Sequence, residues 1–180
     1  MIPTFETDRI ILRPFDLQDA QRVEILAGDK DIAETTLHIR HPYPKGGAAQ
    51  WIATHRHSAT NGDGYVFAIV NKNQNELMGC ISLNIDKSND KGELGYWIGK
   101  PYWGNGYTTE AAKIIIRFGF EDLRLNRIWA SAMTRNPASI KVMEKIGLKY
   151  EGTSPQAILK WGNFEDVSFY GLLKSDFLLR

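Results

Sequence analysis

The sequence predicts a mixed α/β fold of the α+β kind, with a mostly antiparallel central sheet and helices on both of its faces. Three observations predict it. The first half sets β-rich runs side by side with only polar turns between them. The second half switches to strand-helix-strand-helix-strand order. One helix of that half has so narrow a polar stripe that most of it must be buried. The 180 residues, 43% hydrophobic and 24% charged, are enough to bury a core without disulfides or metals. No linker composition divides them, so residues 1–180 read as a single domain.

Each element has a local reason. Arg9–Phe15 (RIILRPF) reads as a strand stopped by Pro14. Asp16–Ala27 follows as a helix, with Asp16 as N-cap and Gly28 just past its end. Residues 29–46, with Pro42, Pro44 and the Gly46-Gly47 pair, read as irregular. Ala48–Ala59 reads as a helix. Tyr65–Val70 and Leu77–Ile85 read as strands joined by the polar turn at 71–75, and 86–92 is a second polar turn. Glu93–Ile98 is a strand ending in Gly99-Lys100-Pro101. Thr108–Leu123 is the buried helix, its stripe set by Glu110, Lys113, Arg117 and Glu121. Arg127–Met133 is a strand. Asn136–Ile146 is the best-punctuated helix, with Asn136 at the N-cap, Pro137 at N1 and Gly147 as the left-handed cap. Lys149–Gly152 and Asp166–Leu173 are the final strands.

Composition excludes several classes. Lys plus Arg number 22 against 21 Asp plus Glu, a net charge of +1, which gives no electrostatic reason to expect nucleic acid as a partner. The single cysteine, Cys80, rules out an internal disulfide framework and a tetrathiolate zinc site, and suits a reducing compartment. The N-terminus has no apolar export segment. The densest apolar stretch, Ile114–Ile116, lies between Lys113 and Arg117, far short of the ~20 residues that span a membrane. The expectation is a cytoplasmic protein with no membrane partner. His38, His41, His55 and His57 invite a metal reading. However, His55 and His57, two apart, point to different helix faces, and no metal is expected.

The sharpest local signal runs from Gly99 through Trp103-Gly104-Asn105-Gly106-Tyr107-Thr108-Thr109-Glu110-Ala111. It passes from a strand end, through glycines, into a helix start. Glycines let backbone approach a ligand closely, and the first amides of a helix are unpaired donors at its positive end. A phosphate or pyrophosphate fits there; tight turning alone is the plainer reading. No Gly-Lys-Ser/Thr follows, which excludes an NTPase P-loop, and Thr109 stands where a dinucleotide fingerprint needs its third glycine.

Six segments in register resemble the GNAT superfamily of N-acetyltransferases, in its ribosomal-protein N-terminal (RimJ/RimL-like) branch. They are Arg9–Arg13, Gly92–Ile98, Tyr102–Ala111, Leu125–Ile128, Asn136–Leu148, and Glu165–Val167 with Tyr170. Together they span about Thr7 to Leu173. The resemblance implies acetyl-CoA as co-substrate and a primary amine as acceptor. It places the pyrophosphate on amides of Gly104, Asn105, Gly106, Tyr107 and Thr108. The pantetheine arm would lie beside backbone near Trp97, Ile98 and Gly99, where two strands splay apart. Asn136 would bond that arm, and Ser139 would sit near the sulfur. Three positions depart from the superfamily pattern. Trp103 stands at a Gln/Arg position and Thr108 at a Gly/Ala position. Met143 stands where many members carry a tyrosine acid, so Ser139 becomes the candidate donor to the leaving thiolate.

The implied chemistry is direct attack by a neutral amine within a ternary complex. A backbone N–H near Ile98 is the candidate oxyanion donor, a role whose loss typically costs ~10²–10³ in rate. An α-amine with pKa ~7.7–8.0 is roughly a tenth to a fifth neutral at pH 7, whereas a lysine at ~10.4 is neutral about once in 2,500. Glu93 is the candidate base, directly or through water. Asp166 and Tyr170 are candidates for supporting roles, and Trp51 and Trp161 for the wall of an acceptor groove.

Three functions follow from these readings. The leading one is acetylation of an N-terminal α-amine of a protein or peptide by a monomer or homodimer. The second is acetylation of a small free amine, such as an aminoglycoside, polyamine or amino acid. The third is an acyl-CoA-binding regulatory module without turnover. Residues 29–64 hold Asp29, Asp31, Glu34 and Asp63 against Lys30, Arg40, Lys45 and Arg56. That balance argues against a dedicated polycation site.

Overall fold

A computed structural model describes residues 2–179. Its elements, in chain order, are β1 (Phe5–Glu6), β2 (Ile10–Arg13), α1 (Ala20–Ala27), α2 (Lys30–Thr35) and α3 (Gly47–Asn61), then β3 (Gly64–Asn71), β4 (Glu76–Asp86) and β5 (Lys91–Ile98). They continue with α4 (Tyr107–Glu121), β6 (Arg127–Met133), α5 (Pro137–Lys145), β7 (Lys149–Lys160), β8 (Asn163–Leu173) and α6 (Lys174–Leu178). The strands form one sheet in the order β1-β2-β3-β4-β5-β6-β8-β7. Every neighbouring pair is antiparallel except β5 with β6.

Strand alternation sends side chains to two cores. On one face, Ile10, Leu12, Phe67, Ile69, Ile81 and Leu83 pack against α4 and α5. There α4 buries Ala111, Ala112, Ile115, Ile116, Phe118 and Phe120, and leaves Lys113, Arg117 and Glu121 exposed. At roughly 1.5–3 kcal/mol per large apolar side chain buried, this one helix contributes on the order of 6–12 kcal/mol before its ordering entropy is counted. On the other face a smaller core joins Val23 and Ala27 of α1, Ala48 of α3, and Ala68, Val70 and Leu77 of the sheet.

Three stretches differ from the sequence reading. Residues 29–46 are not wholly irregular: α2 forms there, started by the Asp29 carboxylate, which accepts from the Asp31 N–H. At the N-terminus a two-residue strand precedes the expected first one. The last hairpin is much longer than read, because β7 runs on past Gly152 to Lys160. It is an edge strand, so Pro155 withholds no needed N–H, and pairing is interrupted between Ser154 and Ile158.

Candidate active site

The site is made where the sheet opens. Strands β5 and β6 pair only through Lys91–Arg127, Gly92–Ile128 and Glu93–Trp129. Beyond that, β5 continues to Ile98 against β4, and β6 continues to Met133 against β8. The residues between are left with one unpaired backbone edge.

Register decides which groups face that gap. The Gly99 N–H donates to the Met78 carbonyl at 2.8 Å. Bonding alternates along an antiparallel ladder, so Trp97 and Gly95 also turn their backbone groups to β4. Gly92 and Leu94 turn theirs toward β6, where the last bridge engages the Leu94 N–H, and Tyr96 and Ile98 turn theirs to the gap. The expectation that Trp97, Ile98 and Gly99 together offer backbone to a pantetheine arm is therefore corrected for two of the three. Gly99 is occupied twice, since its carbonyl also accepts from the Tyr102 N–H at 2.9 Å. Trp97 sends its side chain into the smaller core. Ile98 keeps its N–H toward the gap, while its carbonyl accepts from the Trp103 indole at 2.8 Å. Trp103, the residue departing from the Gln/Arg pattern, thus ties the glycine loop to the strand end.

The loop itself has the predicted form. Gly104 (φ 76°) and Gly106 (φ 79°) are left-handed, a conformation that costs other residues roughly 1–2 kcal/mol. Gly106 caps α4 without any side-chain hydrogen bond, which leaves the first-turn amides of Tyr107 and Thr108 facing outward as donors. The Asn105 amide bonds the carbonyls of Tyr102 and Trp103 at 3.2 and 3.0 Å. Beside the loop lies an open cleft lined by Arg9, Gly106, Thr109, Glu110, Lys113 and Lys145. Arg9 holds its wall: it donates to the Asn105 carbonyl at 3.0 Å, pairs with Glu110, and stacks over the Tyr107 ring. Three cations against one carboxylate suit a polyanion.

Asn136 caps α5 by accepting from the Ser139 N–H at 3.1 Å, and its amide also donates to the Thr35 carbonyl at 3.2 Å. One of its amide hydrogens remains for a ligand. The Ser139 hydroxyl lies 2.9 Å from the Tyr96 hydroxyl. Glu93 and Tyr96 stand on opposite faces of β5, so Glu93 and Ser139 flank the gap from opposite sides. Burial raises the Glu93 carboxyl above the ordinary range, and the nearby charge of His38 opposes that shift.

The opposite wall is assembled from distant segments. Arg135 donates to Glu165 at 2.8 Å and to the Glu34 carbonyl at 3.1 Å. The Lys160 ammonium donates to the carbonyls of Thr36 (2.7 Å) and Ile39 (3.4 Å). Trp161 is exposed at the hairpin turn, near His41.

The family pattern described as "Acetyltransferase (GNAT) domain" matches residues 9–149. The chain belongs to the GNAT acetyltransferase family. An uncharacterized N-acetyltransferase p20 of Bacillus licheniformis is 30% identical over 175 residues, covering 97% of this chain and 98% of the relative. A putative ribosomal N-acetyltransferase YdaF of Bacillus subtilis is 41% identical over 101 residues, 56% of this chain and 55% of the relative. Among solved structures, a probable acetyltransferase aligns with TM-score 0.86 at 29% identity over 96% of this chain and 98% of its own. RimL, a ribosomal L7/L12 α-N-protein acetyltransferase in complex with coenzyme A, aligns with TM-score 0.88 at 18% identity, over 97% and 99%. At that identity it shows the shared GNAT fold alone.

Within this GNAT chain, several candidates have structural posts. Trp51 packs edge-on against Phe15 and His55, 4.4 Å from the His55 ring. Asp166 accepts from the Gln156 N–H and steadies the irregular stretch of β7. Tyr170 packs in the core, 5.4 Å from Tyr150. Met143 is fully buried in the core, so its position offers no acid. The Cys80 thiol is buried, which pushes its pKa up and leaves it inert. Among the described residues, no group of three or more His, Cys, Asp or Glu side chains is placed to hold a metal ion, and no helix is long and apolar enough to cross a membrane. Sequence reasoning missed Tyr96, Arg9 and Lys160. Tyr96 lies inside the quoted Gly92–Ile98 motif, but its partner is 43 residues away.

Proposed function

We propose that this acetyl-CoA-dependent N-acetyltransferase acts on the N-terminal α-amine of a protein or peptide. The observation that carries this reading is the state of the acids on the acceptor side. Asp31 pairs with Lys100, Glu34 with Arg135 and Asp63 with Lys87, while Asp29 caps α2. Much of that charge is already countered, Asp31 and Asp63 by a lysine each and Glu34 by the Arg135 it shares with Glu165. Glu93 is left as the half-buried carboxylate beside the gap. Its raised pKa makes it a better proton acceptor than an ordinary carboxylate, and an α-amine near neutrality needs only that. Two relatives support the reading by their names: besides YdaF, an Escherichia coli ribosomal-protein-serine acetyltransferase is 30% identical over 108 residues, 59% of this chain and 60% of the relative.

Acetyl-CoA, when bound, supplies the activated acetyl group as a thioester. This chain's residues do the rest. Gly104, Asn105, Gly106, Tyr107 and Thr108 offer amides to its phosphates, and Arg9, Lys113 and Lys145 add positive charge. Ile98 offers its N–H in the gap to the carbonyl oxygen, and Asn136 and Ser139 line the arm from α5. Glu93 takes the amine's proton. The continuity of the sheet from β1 to β7 supports reading residues 1–180 as one catalytic domain.

Thiol release from acetyl-CoA, measured across peptides with free N-termini, N-terminally blocked lysine peptides and small amines, tests the proposal. Turnover is expected with free N-termini at least tenfold above the others. Preference for a polyamine or aminoglycoside would overturn it.

A further inference from the structure

The hydroxyls of Tyr96 and Ser139 form a donor chain whose direction is not fixed by the fold. The Tyr96 hydroxyl lies 2.9 Å from Ser139 Oγ and 3.2 Å from the Ser139 carbonyl. Each hydroxyl has one proton to give, and a carbonyl only accepts. Two arrangements satisfy these distances. In one, Ser139 donates to Tyr96 and Tyr96 donates to the Ser139 carbonyl. In the other, Tyr96 donates to Ser139, and the serine proton is released toward the gap. The second abandons nothing costly, because in a regular helix that carbonyl is also served by the N–H four residues on, here Met143 of α5.

We infer that Tyr96 is a positioning residue for acetyl transfer: by donating to Ser139 it turns the serine hydroxyl toward the departing thiolate. The inference rests on Ser139 meeting the sulfur, as proposed above. No bond to either residue is made or broken. The C–S bond breaks with its electron pair going to sulfur, the C–N bond forms, and the amine's proton leaves on the Glu93 side. The hydroxyl chain supplies only oriented hydrogen bonds, which strengthen as charge develops on sulfur and are rotated into place rather than built. Burial supports this role, pushing the Tyr96 hydroxyl up to about 12, so it stays a neutral donor at any working pH.

The test is a double-mutant cycle on the full-length enzyme, with kcat and the KM for acetyl-CoA measured separately. Ser139→Ala is expected to lower kcat about tenfold and Tyr96→Phe about 3–10-fold, with KM within about twofold of wild type. The double variant should match Ser139→Ala alone, because the phenol acts through the serine. Wild-type kcat in Ser139→Ala would sink the reading of Ser139 itself. A slow Ser139→Ala with a wild-type Tyr96→Phe, or with effects that multiply, would sink only the Tyr96 inference. Melting of each variant checks folding. Should Tyr96→Phe fail to fold, site-specific 3-fluorotyrosine at 96 keeps the ring and its hydroxyl while strengthening the donor. A changed kcat is then expected, and an unchanged kcat would overturn the inference.

Discussion

The two walls of the gap are held in different ways. The cofactor wall, β5 with the glycine loop and the start of α5, carries a set of contacts between near neighbours in the chain, Trp103 to Ile98, Asn105 to Tyr102 and Ser139 to Asn136, with Arg9 and Tyr96 adding distant ones to Asn105 and Ser139. The acceptor wall, α2 with the following loop and the β7–β8 hairpin, is held by contacts more than 100 residues apart: Asn136 to Thr35, Arg135 to Glu34, Lys160 to Thr36. Short-range contacts specify a loop whose ligand does not change. Long-range clasps let a groove vary without disturbing it. The difference teaches that the two walls can be altered separately except at Asn136, which caps α5 and also holds Thr35.

Four experiments would break or sharpen that comparison. The largest effect is expected at the junction. Glu93→Gln should lower kcat by about 10²-fold at pH 7, the low end of the range for a general base. Its acid limb in the wild-type pH–rate profile should lie above the ordinary carboxylate range, because burial raises the carboxyl. An unchanged profile in the variant removes Glu93 from the chemistry.

Next is His55, away from both walls, which is buried on α3 against Phe15 and Trp51 with neither ring nitrogen bonded. Burial lowers its pKa to about 4 from an ordinary 6.5. The folded protein thus holds a neutral ring where the unfolded chain takes a proton. Stability should be full above about pH 6.5, fall as pH drops toward 4, and lose nothing more from this residue below that. The span is about 3 kcal/mol. Urea melts of wild type and His55→Phe at several pH values check it; equal pH slopes would refute the assignment.

A smaller effect is expected at the loop. Gly104→Ala adds a side chain in open space but at a positive φ, so roughly 1–2 kcal/mol of strain should appear as a 5–30-fold rise in the KM for acetyl-CoA. The acceptor KM should not move. The smallest is Lys160→Met, which removes the clasp on Thr36 and Ile39. About 1 kcal/mol of lost hydrogen bonding predicts a roughly fivefold change in acceptor KM, with the KM for acetyl-CoA unchanged. If either variant shifts both constants, the two walls are coupled and the comparison fails.

The same contrast explains what was legible in the sequence. The Asn136-Pro137 start of α5, its Gly147 stop and the Gly104/Gly106 loop carry their signals within a few residues, and the fold places them as read. Helix α2 escaped because six residues show no period, and only Asp29 announced it. The second half of β7 escaped because its register is set by β8, not by its own composition. The ring contacts of Trp51 with Phe15 and His55 escaped because an aromatic at helical spacing cannot say which layer it faces. The Tyr96–Ser139 contact joins a strand and a helix, and no local pattern encodes it.

The short pairing of β5 with β6 also sets where the sheet's backbone is open. Strands β1–β5 and β6–β8 are joined across the sheet by three residue pairs, and otherwise by the shared core under α4 and the contacts of Arg135, Asn136 and Lys160 with residues 34–36. In deuterated water the amides of Tyr96 and Ile98 should exchange much faster than those of Glu93, Gly95 and Trp97, which β4 protects. A ligand lying along that edge would slow them. The seam is thus where the backbone of the sheet is least protected until something pairs with it.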